Sequence, residues 1–377
     1  MKVTLFFTFG ISLKDWKETG LFTREVAPYK ELVSRGHEVV FITYGNEVDL
    51  GYSNDLPGIK IEPIFKYYQK SDFKIFNIIK SVLFVWKKRD MFKKMDILKS
   101  NQMLGSWLPI IAAKFFSKPV LARVGYDLFE FYSKRKCSNF KLGIVYLMSK
   151  LTYKYSNHIL ITSADGARFI QKKFNIPNDK ISFHSNYIDT ECFYPVDGKK
   201  EKSILYVGRL DHHKNLFPIL DAVMDLNIPL YLVGSGDEEA NIKKYIFKKN
   251  IKVCFLGRLP NEELPRIYNQ HQFFILNSFS EGNPKALLEA MSCGCCPIGN
   301  NVAGINSVIV DRKNGMLMDG SKVTIKRVLL ELMSNDELVR NISKEAREYI
   351  ISNCSLSSMI DYELGLYLKL KGKTHIS

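Results

Sequence analysis

Four apolar runs in the second half of the chain end alike. Residues 204–207 stop at Gly208, 230–233 at Gly234-Ser235-Gly236, 253–256 at Gly257, and 273–277 at the polar stretch 278–283. The runs are short and rich in β-branched and aromatic residues, so they read as buried strands. Strands that finish in glycine or small polar residues belong to open α/β sheets. There, ligands collect beyond the carboxyl ends and glycine lets the backbone come close to them. The first half repeats the alternation, with strands expected at 3–9, 39–43, 59–63, 97–100, 119–123, 158–162 and 180–184 and helical spacing between them, as at 140–155 and 164–174. Leu21, Val26, Tyr29 and Leu32 share one helix face, and that helix closes at Arg35-Gly36. A charged, polar stretch at 196–202 reads as a linker. The fold class expected is α/β, with two doubly wound domains at 1–197 and 198–353 and a last helix, within 354–377, returning to the first domain.

The segment from Ser278 to Gly294 carries the most chemistry. Pro284 suits the first position of a helix and Asn283 can cap it. A helix start offers unpaired N–H groups and a positive dipole end to an anion. Glu281 stands in the loop before that start and Glu289 lies within the helix. A carboxylate cannot pair with phosphate but can accept two hydrogen bonds from a ribose diol. A solvated glutamate on a surface helix is the competing reading for either residue.

The Glu281–Glu289 spacing resembles the glutamate–seven residues–glutamate motif of the family 4 retaining glycosyltransferases of the GT-B superfamily, particularly those that build bacterial surface glycans. Other segments match that family in order. Residues 20–43 resemble its first glycine loop, helix and strand. Asn186-Tyr-Ile-Asp189 with Phe193 and Pro195 resembles its exit from the first domain. Tyr206-Val-Gly208-Arg209-Leu210 with Lys214-Asn215 resembles a further motif, and Val233-Gly-Ser-Gly236 and Phe255-Leu-Gly257 follow. The resemblance implies two Rossmann-like domains facing each other across a cleft, donor in the second and acceptor in the first. It implies that Arg209 and Lys214 hold the nucleotide diphosphate, whose departing charge fixed cations stabilise. Glu289 would bind ribose. Glu281, with the backbone at Asn283, Pro284, Lys285, Ala286 and Leu287, would hold sugar hydroxyls and phosphate. Gly20, Gly208 and Gly234 would admit the donor, and Arg258-Leu259 would face the base.

The implied reaction moves a sugar from a UDP- or GDP-sugar to a glycan or lipid-linked acceptor with retention. No cofactor is expected. No Asp-x-Asp occurs, so transfer without a divalent metal is expected. The stretch Arg123-Val-Gly125-Tyr-Asp127 lacks the histidine that many relatives carry near the sugar. Arg123 or Asp127 is a catalytic candidate in its place, against a buried ion pair or a turn aspartate. Cys293, Cys295 and Cys296 lack zinc spacing and read as buried thiols. His212-His213 is read as solvated and given no role. The competing functions are a nucleotide-sugar epimerase on the same fold and a non-enzymatic glycan- or nucleic-acid-binding protein. The Glu281/Glu289 and Arg209/Lys214 pairs argue against the latter.

Charge adds a partner. The chain of 377 residues carries 54 Lys+Arg against 39 Asp+Glu, a net +15, of which residues 1–198 hold 30 basic against 19 acidic. Between Lys60 and Lys99, 11 basic residues against four acids are interleaved with aromatics. An anionic membrane surface fits such a segment better than nucleic acid, given the transferase reading; a solvated face over core aromatics is the plainer account. An odd count of seven scattered cysteines fits a reducing compartment. No uncharged run reaches the roughly 20 residues of a membrane span. The first apolar run reads as a strand rather than a signal peptide, since no small-residue cleavage site follows. The expected location is cytoplasmic, peripheral at the inner face of the membrane.

Overall fold

The computed structural model describes residues 1–133 and 137–374. They form two compact units: Met1–His184 with Met359 onward, and Ser185–Ser358.

The first unit holds seven strands, β1 (Lys2–Phe6), β2 (Glu38–Thr43), β3 (Ile59–Pro63), β4 (Ile97–Ser100), β5 (Val120–Val124), β6 (His158–Ile161) and β7 (Ile181–Phe183). All pair in parallel, in the order β3-β2-β1-β4-β5-β6-β7. The second unit holds β8 (Glu201–Val207), β9 (Leu230–Val233), β10 (Val253–Gly257), β11 (His271–Leu276), β12 (Cys296–Asn300) and β13 (Met316–Met318). These too are parallel, in the order β10-β9-β8-β11-β12-β13. Each sheet reverses its order once, between β1 and β4 and between β8 and β11. Both are therefore doubly wound, with a switch point where a crevice opens beyond the carboxyl ends. Near-continuous burial along the central strands fits sheets covered on both faces.

The division lies thirteen residues before the expected 197. Asn186, Ile188 and Phe193 bond or pack within the second unit: Ile188 N–H donates to Cys354 O at 2.7 Å, Leu356 N–H donates to Ile188 O at 3.0 Å, and Phe193 enters that unit's core. The polar 196–202 stretch is partly strand, since β8 already begins at Glu201. A short helix, Leu13–Glu18, also stands between β1 and Gly20. Ser12 and Asp15 cap it reciprocally, satisfying amides that so short a helix leaves open. Helices end at asparagines in the left-handed conformation at Asn175, Asn227 and Asn250, with φ of 54°, 52° and 52°, where glycine would be the usual signal.

Candidate active site

The second unit's switch point assembles the predicted residues from two strand ends. After β8 the chain turns through Gly208 and Arg209 to a single turn of 3-10 helix, His212–Lys214. After β11 it runs through Ser278 to Glu281 and enters the helix Lys285–Ser292. The loops meet through Lys214 Nζ, 2.5 Å from Glu281 Oε1, with side chains only 18% and 14% exposed. Ser278 Oγ donates to the same oxygen at 2.5 Å. No bond to Glu281 Oε2 is found among the described residues.

Backbone contacts hold this geometry. Phe279 N–H donates to His213 O at 3.0 Å, and His213 Nε2 lies 2.8 Å from Ser280 O. His213 is exposed, as its solvated reading expects, and in addition it stitches the two loops together. Gly304, at φ +84°, passes so near that a Cβ would stand 2.2 Å from Glu281 O. Gly234, at φ +132°, would place a Cβ 1.8 Å from Gly208 O. Its lack of a side chain thus serves the packing of one glycine turn on the next. Gly208 itself faces Tyr206 Oη, which donates to Arg209 O at 2.7 Å.

The helix start differs from expectation in two details. Pro284 is the N-cap rather than the first helical residue, and Asn283 does not cap. Asn283 Oδ1 is taken by the Asn186 amide at 2.9 Å, while Asn186 Nδ2 donates to Asn283 O at 2.9 Å. Leu287 is a core residue whose N–H donates to Pro284 O at 3.1 Å, so its amide is engaged within the helix. Ala286 packs partly against the same core, and Lys285 Nζ lies 5.0 Å from the Tyr187 ring centre. The amides at the helix start that remain for an anion precede Leu287.

Glu289 is buried and accepts from Tyr268 Oη at 3.0 Å. Burial and the nearby carboxylate push the Tyr268 hydroxyl well above its usual range, so it remains a donor. Arg209 is exposed, its Nε 3.6 Å from Asp211 Oδ2. Arg258 and Leu259 follow β10 at the same sheet edge, Arg258 exposed and Leu259 against the core.

The first-unit candidates are placed as follows. Gly20, at φ +70°, sits in the turn between Leu13–Glu18 and the helix Phe22–Ser34. Arg123 lies on β5, its N–H donating to Ser100 Oγ at 3.2 Å. Asp127 is buried: Oδ1 accepts from Glu130 N–H at 2.7 Å at a helix start, and Oδ2 accepts from Tyr153 Oη at 2.5 Å. Burial pushes its carboxyl up despite these bonds.

Cys293, Cys295 and Cys296 are buried free thiols, and burial pushes Cys295 up to about 11. Among the described residues, no group of three or more His, Cys, Asp or Glu could hold a metal ion. A cavity of about 810 Å³ lies at the opposite, amino edge of the second sheet, against Glu201 and His271, and gathers none of the predicted residues.

Ser278 and His213 were not assigned roles from sequence. The signal for Ser278 was its place three residues before Glu281 at a strand end; for His213, its place beside Lys214.

Comparison with known proteins identifies this architecture. Residues 194–349 match the family described as glycosyl transferases group 1, and residues 29–192 match glycosyltransferase family 4. The chain belongs to the family 4 glycosyltransferases. It is 25% identical over 228 residues to an uncharacterised glycosyltransferase of Methanocaldococcus jannaschii, covering 55% of this chain and 64% of that protein. It is 30% identical over 188 residues to a Campylobacter jejuni GalNAc-α-(1→4)-GalNAc-α-(1→3)-diNAcBac-PP-undecaprenol α-1,4-N-acetyl-D-galactosaminyltransferase, covering 47% of this chain and 49% of that protein. The matches thus span about half to two-thirds of these relatives' lengths. Anabaena HepE, solved in complex with UDP, shares the GT-B fold at a TM-score of 0.75 and 12% identity, covering 98% of this chain and all of that one.

Proposed function

We propose that this family 4 chain transfers a sugar from a nucleotide-sugar, a UDP-sugar first among the candidates, to a lipid-linked glycan acceptor at an anionic membrane surface on the cytoplasmic side, with retention and without a divalent metal. The observation that carries the reading is the Lys214–Glu281 pair at the β8/β11 switch point, beside a helix start.

The chemistry follows from donor counts. An ammonium has three N–H groups. Lys214 gives one to Glu281 and keeps two for the oxygens of a diphosphate. The Glu281 carboxylate has a second oxygen for a sugar hydroxyl. One pair therefore grips both sides of the bond to be broken. As that bond breaks, charge grows on the departing phosphate, where Lys214, exposed Arg209 and the helix-start amides oppose it. Glu289, inside the helix, is the ribose ligand in this reading. No protein nucleophile is invoked.

The acceptor is assigned to the first unit. There a cavity of about 400 Å³ borders the chain after β2 and β3 and offers Asp15, Asn46, Gln69 and Lys70 to hydroxyl groups. The Campylobacter relative's name carries a diphosphoundecaprenol glycan and HepE's complex holds UDP, which supports these choices of acceptor and donor class.

A thermal-shift panel of UDP-, GDP- and ADP-sugars, followed by NMR of the product anomer, tests the reading. Stabilisation by one nucleotide-sugar and an α-linked product from an α-linked donor are expected. Release of free sugar without an acceptor would point to an epimerase instead.

A further inference from the structure

Two helices of the first unit are apolar toward water as well as toward the core, into which Phe84, Val85, Val145 and Tyr153 point. On Lys74–Lys87 the buried positions include Asn77 and Ser81, while Ile75, Ile79, Leu83 and Trp86 stand 58%, 49%, 49% and 56% exposed. On Asn139–Tyr155 the buried positions include Ser149 and Thr152, while Phe140, Ile144, Leu147 and Leu151 stand 80%, 46%, 55% and 44% exposed. Both sets recur at helical spacing, so each is one continuous apolar stripe facing water. The inward polar groups are satisfied: Asn77 Nδ2 donates to Ser71 O at 2.7 Å, and Ser81 Oγ donates to Asn77 O at 2.7 Å. Polar residues are thus accommodated on the inner side beside the apolar ones. A helix whose outer side meets only water carries polar residues there.

The stripes belong to one face. The helix Trp107–Phe116 packs against both. Trp86 and Phe115 ring centres are 6.0 Å apart, and Lys114 Nζ lies 4.1 Å from the Tyr155 ring centre. Across the three helices stand seven lysines and no aspartate or glutamate. Contiguous exposed apolar surface of this kind marks a partner.

We infer that this three-helix face docks on an anionic lipid bilayer. This deepens the lipid-linked acceptor reading above and rests on it for its purpose. Charge selects the occupant. A second copy meeting this face about a two-fold axis would set lysines against lysines with no acid on the helices to answer them. A bilayer accepts both parts of the surface: the stripes enter the headgroup–acyl boundary and the lysines meet lipid phosphates. Only the part at 74–87 falls within the basic stretch singled out from sequence. The helix Asn139–Tyr155 lies outside it and is visible only through its exposure.

Sedimentation with vesicles tests the inference on the full chain. Vesicles containing phosphatidylglycerol should bind at least about tenfold more protein than phosphatidylcholine vesicles. Ile79→Ser with Leu147→Ser should cut that binding by about tenfold. Lys74→Gln with Lys150→Gln should weaken it and flatten its salt dependence. Both double variants alter exposed positions, so they should keep the wild-type melting temperature and wild-type turnover of a water-soluble acceptor analogue. Equal sedimentation with neutral and anionic vesicles overturns the inference. So does a concentration-dependent dimer in ultracentrifugation that Ile79→Ser with Leu147→Ser dissolves. Vesicle binding that follows this pattern in a chain without any transferase turnover upholds the docking face and removes the acceptor reading instead.

Discussion

Two lysine–glutamate pairs stand beside the two switch points. In the first unit Lys99, on β4, lies 2.6 Å from Glu363 of the last helix, with both side chains at 0% exposure. In the second, Lys214 lies 2.5 Å from Glu281, at 18% and 14% exposure. The distances are nearly equal and the surroundings are not. Tyr367 Oη donates to Glu363 Oε2 at 2.7 Å, and the Tyr29 ring centre lies 5.0 Å from Lys99 Nζ. Burial alone would push the Glu363 carboxyl up. The charges of Lys99 and Arg123 and the bonds from Lys99 and Tyr367 bring it below its ordinary value. The sealed pair keeps its bonds inside the fold, and its second oxygen, Glu363 Oε1, is shut away from any ligand without a hydrogen-bond partner among the described residues. The open pair keeps N–H groups and an oxygen for a ligand. Burial, more than residue type, separates structure from chemistry here.

Breaking each pair should therefore give opposite results. Lys99→Met strands the Glu363 charge in the interior and should cost about 3–5 kcal/mol of stability, read by denaturant unfolding. Adding Glu363→Leu should return most of that loss, since a buried pair exchanged for apolar groups is often neutral. The double variant, once folded, should keep its turnover. Lys214→Ala or Glu281→Ala should lower kcat by about 10²-fold or more, while Lys214→Ala, which leaves Glu281 its bond from Ser278, should cost less stability than Lys99→Met. Near-wild-type turnover of both open-pair variants would remove the site assignment.

A sealed group in the second unit sharpens the point. His271 is buried, with Nδ1 2.7 Å from Ser203 Oγ. Burial lowers its pKa to about 4, only partly opposed by Glu201. Between about pH 4 and the ordinary value near 6.5, the unfolded chain binds a proton that the folded chain refuses. Stability should therefore fall as pH drops through that window, by at most about 1.4 kcal/mol per pH unit. Melting curves from pH 7 to 4.5 should show a shallower fall for His271→Gln than for the wild-type chain.

The same distinction explains what the sequence made legible. Strands at 59–63, 97–100 and 230–233 were read with their observed limits, because the first lies between Gly58 and Pro63 and the other two run up to small polar residues or glycine. Lys214 and Glu281 were readable as candidates from their strand-end loops and their match to the family motif. β12 was not read as a strand: Pro297 and Gly299 are poor strand formers, and Cys296, with Cys293 and Cys295 before it, drew attention to metal instead. The Leu13–Glu18 helix is too short for periodicity to reveal. Asparagine caps hide helix ends from a search for glycine. Exposure on the helices and loops was not legible. Nothing in the spelling of 139–155 says which stripe faces out, and nothing in Val-Gly-Tyr-Asp says that Asp127 is closed off from water.

Asp127 gives the smallest expected effect and the finest test. Asparagine caps helices about as well as aspartate, so Asp127→Asn preserves the bond from Glu130 N–H. At the other oxygen the new amide can donate to Tyr153 Oη, reversing the bond. The Tyr153 proton then turns to Met103 Sδ, already 3.6 Å away. The substitution also removes a carboxylate whose charged form burial disfavours. These terms offset, so stability should move by less than about 1 kcal/mol. With both oxygens engaged inside the unit, Asp127 offers a substrate no free acceptor, and kcat should stay within about threefold of wild type. A drop of about 10²-fold with an unchanged melting temperature would instead make Asp127 the group that replaces the relatives' histidine, and the rule that sealed carboxylates serve the fold would fail at its most exacting position.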